Sequence, residues 1–131
     1  MAQSGSVSVW GTGGRWFKSS RPDHFNMKKK FRIFYSTCSN SKDAKIIANY
    51  LLKNRKALCV NLINYVDSFY LENKKVKNQK EVSILIKTCC TKSQMEKNIK
   101  KIHKYQTPIV VELKTALPNK DYLEWLSLIH I

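Results

Sequence analysis

The sequence predicts an α+β protein: a ferredoxin-like β-α-β-β-α-β sandwich with a long hairpin between its second and third strands and an added C-terminal helix, assembled from more than one copy of the chain. Three observations carry this. Leu58, Val60 and Leu62, and then Val82, Ile84 and Ile86, alternate with smaller or polar residues, the period of strands with one buried face. Apolar residues recur at helical spacing before and after that pair. The hairpin is also longer than its neighbouring helix can cover. From a turn near Asn73 each arm holds about 13 residues and reaches roughly 40 Å at about 3.3 Å per residue, whereas a helix over Ser41 to Lys56 measures about 24 Å at about 1.5 Å per residue. The distal half carries Val66, Phe69, Tyr70 and Leu71, and an isolated ribbon with such a face is marginal in water and a template for pairing. Sister copies of the chain are the simplest cover.

Residues 1–26 differ from everything that follows. They hold all four glycines and two of the three tryptophans but neither hydrophobic period, and read as a disordered extension before a domain over 27–131. They have no apolar signal-peptide core and fit an organellar transit peptide only loosely. Arg15 to Ser20 back-translates as CGC TGG TTC AAG TCC AGC, in which GCTGG and CCAGC enclose TTCAAGT as in a transfer-RNA T-arm. Two readings stand side by side: a translated transfer-RNA gene with Met27 as the true start, or an ordinary disordered tail.

Phe31 to Thr37 reads as a strand with Phe31, Ile33 and Tyr35 on one face. Asn40 caps the next helix, Asp43 lies near its positive end, and Ala44, Ile47, Ala48, Leu51 and Leu52 form its apolar face. In the hairpin, the polar run ENKKVKNQK is expected to turn between ALCVNLINYVDSFYL and EVSILIKT. With no glycine after Met27, that turn must use Asn73 or Asn78. Ser93 and Glu96 suggest a capping box for a second helix with Met95, Ile99 and Ile102 as its stripe. Ile109 to Leu113 supplies a short strand, and Pro118 and Asn119 introduce an amphipathic helix around Tyr122, Leu123, Trp125 and Leu126.

At 131 residues and 43% hydrophobic the chain suits one small domain with a modest core. No apolar run approaches the roughly 18 residues of a membrane span, so no membrane partner is expected. A net charge of +15 attracts polyanions, but lysine outnumbers arginine 20 to 4, as in AT-rich coding sequence, so nucleic acid is not expected as a partner. Cys38, Cys59, Cys89 and Cys90 show neither zinc-knuckle spacing nor a disulfide framework, consistent with reduced thiols and a cytoplasmic location.

From Thr37 to Leu126 the chain resembles the CutA divalent-ion tolerance proteins. The matching segments are TCSN before the first helix, A-x-CVNLI at the hairpin's start, S-x-Y at Ser68 and Tyr70, EV-x-x-x-IKT at Glu81 to Thr88, H-x-YQTP at His103 to Pro108, and DYLEWL at Asp121 to Leu126. The resemblance implies tight homotrimers with hairpins packed on neighbouring subunits. It also implies kinship in architecture with PII-like proteins that bind effectors between subunits, and a part in the response to divalent metal ions, copper above all. It departs at several points. Asn64 and Tyr65 stand where the family often has Pro-Gly, Leu71 and Glu72 where it has aromatic residues, and Lys104 where a proline is common. The proposed copper ligands of some members align with Ser36, Ile102 and Ile109, none of them a good ligand, so no metal site is carried over.

Catalysis finds no foothold: there is no Ser, His and acid constellation and no Gly-rich phosphate loop after Met27. His103 suits a helix C-terminus, and Cys59 reads as a small buried hydrophobe in a strand rather than a reactive thiol. Lys87 ends an apolar strand and must reach solvent or meet an anion or a carboxylate such as Glu81, Glu112 or Asp121. If an effector pocket exists, Lys87, His103 and Tyr105, with Cys59 nearby, are its expected lining, in a cleft between subunits and facing an anionic ligand. The reading is a non-enzymatic homotrimer. The alternative is an RNA-binding ferredoxin-like module, though Val82 to Thr88 lacks the aromatic pattern such modules use. An acylphosphatase-like hydrolase would need an arginine in TCSNSK.

Overall fold

One antiparallel sheet of four strands organises the described residues, 31–129 of a computed structural model. They fall into two compact units, residues 31–116 and the stretch from 117 onward. The expectations for 1–26 and for a start at Met27 lie outside the described residues.

In the first unit the elements are β1 (Arg32–Cys38), α1 (Ser41–Lys53), β2 (Cys59–Glu72), β3 (Lys75–Thr88), α2 (Lys92–Ile102) and β4 (Val111–Leu113). The strand order β2-β3-β1-β4 is that of a ferredoxin-like sandwich. Both helices cover one face. Ala44, Ile47 and Leu51 of α1 and Met95 and Ile99 of α2 pack with Phe34, Cys38, Val82, Ile84 and Ile86 in a single core. The alternation expected of β1 is observed, and the packing fixes which face meets the helices. Phe34, Ser36 and Cys38 point into the core, while Ile33 and Tyr35 share the opposite, half-buried face. Both faces of this strand carry apolar residues, and a period of two cannot tell which one meets the helices.

Asn40 caps α1 as expected, its side chain accepting the Asp43 N–H at 2.8 Å. The helix ends three residues earlier than expected, at Lys53, in a Schellman motif. The Lys56 N–H reaches the Leu51 carbonyl at 2.7 Å and the Arg55 N–H reaches Leu52 at 3.1 Å. This forces Arg55 to φ 57°, a conformation glycine would take without cost. Leu52, expected on the apolar face, is exposed as a result of its place at the margin of that face. The capping box of α2 lies two residues upstream of the expected one: Thr91 accepts from the Gln94 N–H while the Gln94 side chain accepts from the Thr91 N–H. Ser93 and Glu96 fit the same sequence pattern but sit inside the helix.

The hairpin turns at Asn73 and Lys74 alone, with φ 52° and 64°, the two-residue connection with both central residues left-handed. Lys75 to Lys80, read as part of a polar turn, continue β3 as paired strand. At 14 residues each, the arms span roughly 45 Å. β1 pairs with β3 only from Val82 to Thr88, so the distal part of β3 is bonded to β2 alone. A bulge separates the halves: Ile63 pairs Ser83 and Val66 pairs Glu81, leaving Asn64 and Tyr65 opposite Val82. Tyr65 is held at φ 63° and is 95% exposed. Beyond the bulge Phe69, Leu71 and Val76 are 69–73% exposed in the single chain.

In the second unit α3 (Lys120–Ile129) follows Asn119, whose carbonyl accepts the Leu123 N–H at 3.2 Å. Leu123 and Leu126 are buried, and Tyr122 stacks on Trp125 with ring centroids 5.9 Å apart.

Candidate functional site

The segment leaving α2 returns across the free edge of the hairpin and places a ring of polar contacts there. His103 caps α2, its N–H bonded to the Ile99 carbonyl at 2.9 Å. Its imidazole is then fixed at both nitrogens. The Tyr105 N–H donates to Nδ1 at 3.0 Å, and Nε2 lies 2.6 Å from the Thr37 carbonyl, which can only accept. The ring is therefore the neutral Nε2–H tautomer, with no lone pair left for a metal. Tyr105 packs its ring against it, centroids 4.7 Å apart.

The Tyr105 hydroxyl donates to Glu81 Oε2 at 2.6 Å and accepts from Gln79 Nε2 at 3.0 Å. Ser68, across the ladder, donates to Glu81 Oε1 at 2.7 Å. Burial first, then the hydrogen bond to the Glu81 carboxylate and its charge, push the Tyr105 phenol well above its ordinary range. The phenol stays protonated as a donor. Beside this network Lys104 pairs with the largely buried Asp43 at 3.4 Å. Cys38 donates to the Asn40 carbonyl at 3.3 Å, and burial raises its thiol above the ordinary value.

Lys87 and Cys59 pair with each other in register at the opposite end of the sheet. Six residues along β3 separate Lys87 from Glu81, about 20 Å. Within one chain, then, the four expected site residues form two pairs, His103 with Tyr105 and Lys87 with Cys59. Glu112, another expected partner of Lys87, is engaged by Arg32 at 3.4 Å. An open groove of about 320 Å³ lies between α2 and the following loop, lined by Glu96, Lys100, Gln106, Thr107, Pro108 and Val110. Ser68 and Glu81 are visible in the sequence within matching segments, but the bonds that Ser68 and Tyr105 each make to Glu81 are not, because they link residues 13 and 24 apart through a register set by the bulge.

The positions aligned with copper ligands do not assemble a site. Ser36 is fully buried, its hydroxyl without a hydrogen-bond partner among the described residues, Ile102 packs on the core and Ile109 is exposed. Among the described residues no group of three or more His, Cys, Asp or Glu side chains is arranged to hold a metal ion.

The fold and this edge-bound polar ring define a class: small ferredoxin-like proteins with an overlong central hairpin and a returning His-x-Tyr loop. Residues 32–128 match the family model described as CutA1 divalent ion tolerance protein, and the chain belongs to that family. A CutA homolog from Xenopus laevis is 34% identical over 71% of this chain and 62% of its own length. A divalent-cation tolerance protein CutA from Thermus thermophilus is 32% identical over 69% of this chain and 88% of its own. The crystal structure of divalent ion tolerance protein CutA1 from Ehrlichia chaffeensis superposes with a TM-score of 0.71 at 26% identity, covering 79% of this chain and 97% of that one. The chain spans between half and two thirds of the length of the vertebrate relatives it matches.

The expectation of a cytoplasmic location is corrected by the same relatives. A CutA structure from Archaeoglobus fulgidus, 24% identical with a TM-score of 0.67 over 76% of this chain and 97% of that one, is described as periplasmic. A rice relative, 30% identical over 72% of this chain and 54% of its own length, is described as chloroplastic. Free cysteines and the absence of a long apolar helix among the described residues are compatible with several compartments and select none.

Proposed function

We propose that this chain works as a CutA-type homotrimer in tolerance of divalent metal ions, copper the first candidate, and does so without enzymatic chemistry. One observation carries the reading: the distal hairpin exposes Phe69, Leu71 and Val76 beyond the reach of both helices, as a subunit meant to be covered by its copies would. Copper is sensed without the aligned ligand set, since Ser36, Ile102 and Ile109 offer no soft or imidazole donor. The effector is a small anion held between subunits, its charge met by Lys87, while His103 and Tyr105, whose donors are engaged within their own chain, wall the cleft. His103 and Tyr105 come from one protomer and Lys87 and Cys59 from another, because about 20 Å of strand separates the pairs within a chain. Light scattering on the purified protein tests the assembly, with a trimer expected and a monomer overturning it. Calorimetry with Cu(II), Zn(II) and nucleotides, repeated on Lys87→Ala, tests the cleft. Unchanged anion binding by a folded Lys87→Ala trimer removes Lys87 from the site.

A further inference from the structure

Composition says that the chain is basic, and the fold says where the charge points. At about 100° per residue, the outward arc of α1 carries Lys42, Lys45 and Lys53, and that of α2 carries Lys97, Lys100 and Lys101. All six are exposed. The two helices lie side by side on one face of the sheet, joined through Ala44, Ile47, Leu51, Met95 and Ile99 beneath them, so their outer midlines form a single layer. The acidic residues of these helices do not offset it. Asp43 is nearly buried and held by Lys104, and Glu96 is paired with Lys92 at 4.0 Å. At the margins of the lysine arc of α1 stand Ile46 and Leu52, 47% and 39% exposed.

We propose that this helical layer docks on the surface of an anionic lipid bilayer. A plane of negative headgroups engages lysines from both helices at once, and each contributes about fivefold to binding. Lysine stems reach over apolar surface while their ammonium groups stay at headgroup level, which leaves Ile46 and Leu52 against the first acyl carbons. A nucleic-acid backbone offers nothing to those two side chains. The layer also lacks the arginine forks and aromatic platforms that read or stack on nucleic acids. No helix of the described residues is long and apolar enough to cross a membrane, and docking on its surface requires none. This inference is independent of the effector cleft, which lies on hairpin and loop residues.

Co-sedimentation with vesicles of equal parts phosphatidylserine and phosphatidylcholine tests it. Wild-type protein is expected to bind these and not pure phosphatidylcholine, and to be released as salt rises from about 0.05 to about 0.5 M. Replacing Lys45, Lys97 and Lys100 by glutamine should weaken binding about a hundredfold. The pair Ile46→Ser and Leu52→Ser, at exposed positions, should weaken it severalfold with the thermal melt unchanged. Equal binding to neutral vesicles, no binding to anionic ones, or full binding by the folded lysine variant overturns the proposal. So does a DNA duplex that competes the protein off vesicles through the same three lysines, which would assign the face to nucleic acid.

Discussion

Tyr105 donates its phenolic hydrogen to Glu81 at 2.6 Å, and this one bond ties the loop behind α2 to the hairpin just past its bulge. Ser68 closes on the other carboxylate oxygen at 2.7 Å, so Glu81 is satisfied from both the loop and the facing strand. The hairpin would otherwise leave the sheet at Val82 with no support on that edge. The contact therefore fixes the angle at which the distal ribbon leaves the sheet, and in the proposed trimer that angle would decide how the ribbon meets a neighbour.

Removing the donor while keeping the ring is expected to loosen this junction. Tyr105→Phe should cost about 1.5 kcal/mol, the low end for a bond to a charged acceptor because the group is only partly buried. The pH dependence has a definite sign. The folded-state pKa of Tyr105 lies above the ordinary 10.0, so the unfolded chain releases this proton first. Its contribution is intact below that value and declines as the pH rises beyond it. Urea titrations across the alkaline range should show a shallower decline in Tyr105→Phe than in the wild type; equal slopes would mean the phenol is not held by Glu81.

Arg55 and Tyr65, like Lys74 in the hairpin turn, store backbone strain that glycine would release. Arg55 in the Schellman motif and Tyr65 in the bulge sit at φ 57° and 63°, where a β-carbon crowds the following carbonyl at a cost of about 1–2 kcal/mol. Glycine has no such penalty but gives back part of the gain through its freer unfolded chain. Arg55→Gly and Tyr65→Gly are each expected to stabilise by about 0.5–1 kcal/mol, additively because the sites are separate, as read from urea midpoints. A loss at either position would show that the side chain contributes more than its backbone costs.

Much of this fold was legible, and the failures have physical causes. α1 was read from its Asn40 cap and from Ala44, Ile47 and Leu51 because burial on one helix face leaves a strong period. The distal half of β3 was blurred into a turn because Lys75, Lys77, Asn78 and Lys80 lie on strand exposed to solvent in the single chain, and a ladder without a buried face has loop-like composition. At the candidate site, His103 and Tyr105 stand out in one short motif and do meet. Lys87 was grouped with them on chemistry alone, and only the register reveals that it lies at the far end of the strand.

Ser36 gives a test of what the core tolerates. Its side chain is completely buried beneath the helices, and its hydroxyl has no hydrogen-bond partner among the described residues. A buried unsatisfied hydroxyl costs about 1–3 kcal/mol, partly offset by the small space its removal would leave. Ser36→Ala is therefore expected to be neutral or to gain up to about 1 kcal/mol in chemical denaturation. A clear loss would show that the hydroxyl is paired in the assembled protein.

The exposed ribbon makes the strongest demand on assembly. Phe69 and Leu71 lie on the same side of β2 beyond the bulge, with Val76 opposite Leu71, and no element of the described residues covers them. Burying a side chain of this size is worth about 1.5–3 kcal/mol, so two of them supply roughly 4 kcal/mol per subunit toward association. Phe69→Asp with Leu71→Asp removes that gain and sets a charge where a neighbouring copy would pack. Because both are wet in the single chain, the substitution should leave each subunit folded while it splits the assembly. Light scattering at micromolar concentration, paired with circular dichroism, reads both quantities. Folded monomers are the expected product, and an intact oligomer would mean that the subunits associate through some other surface.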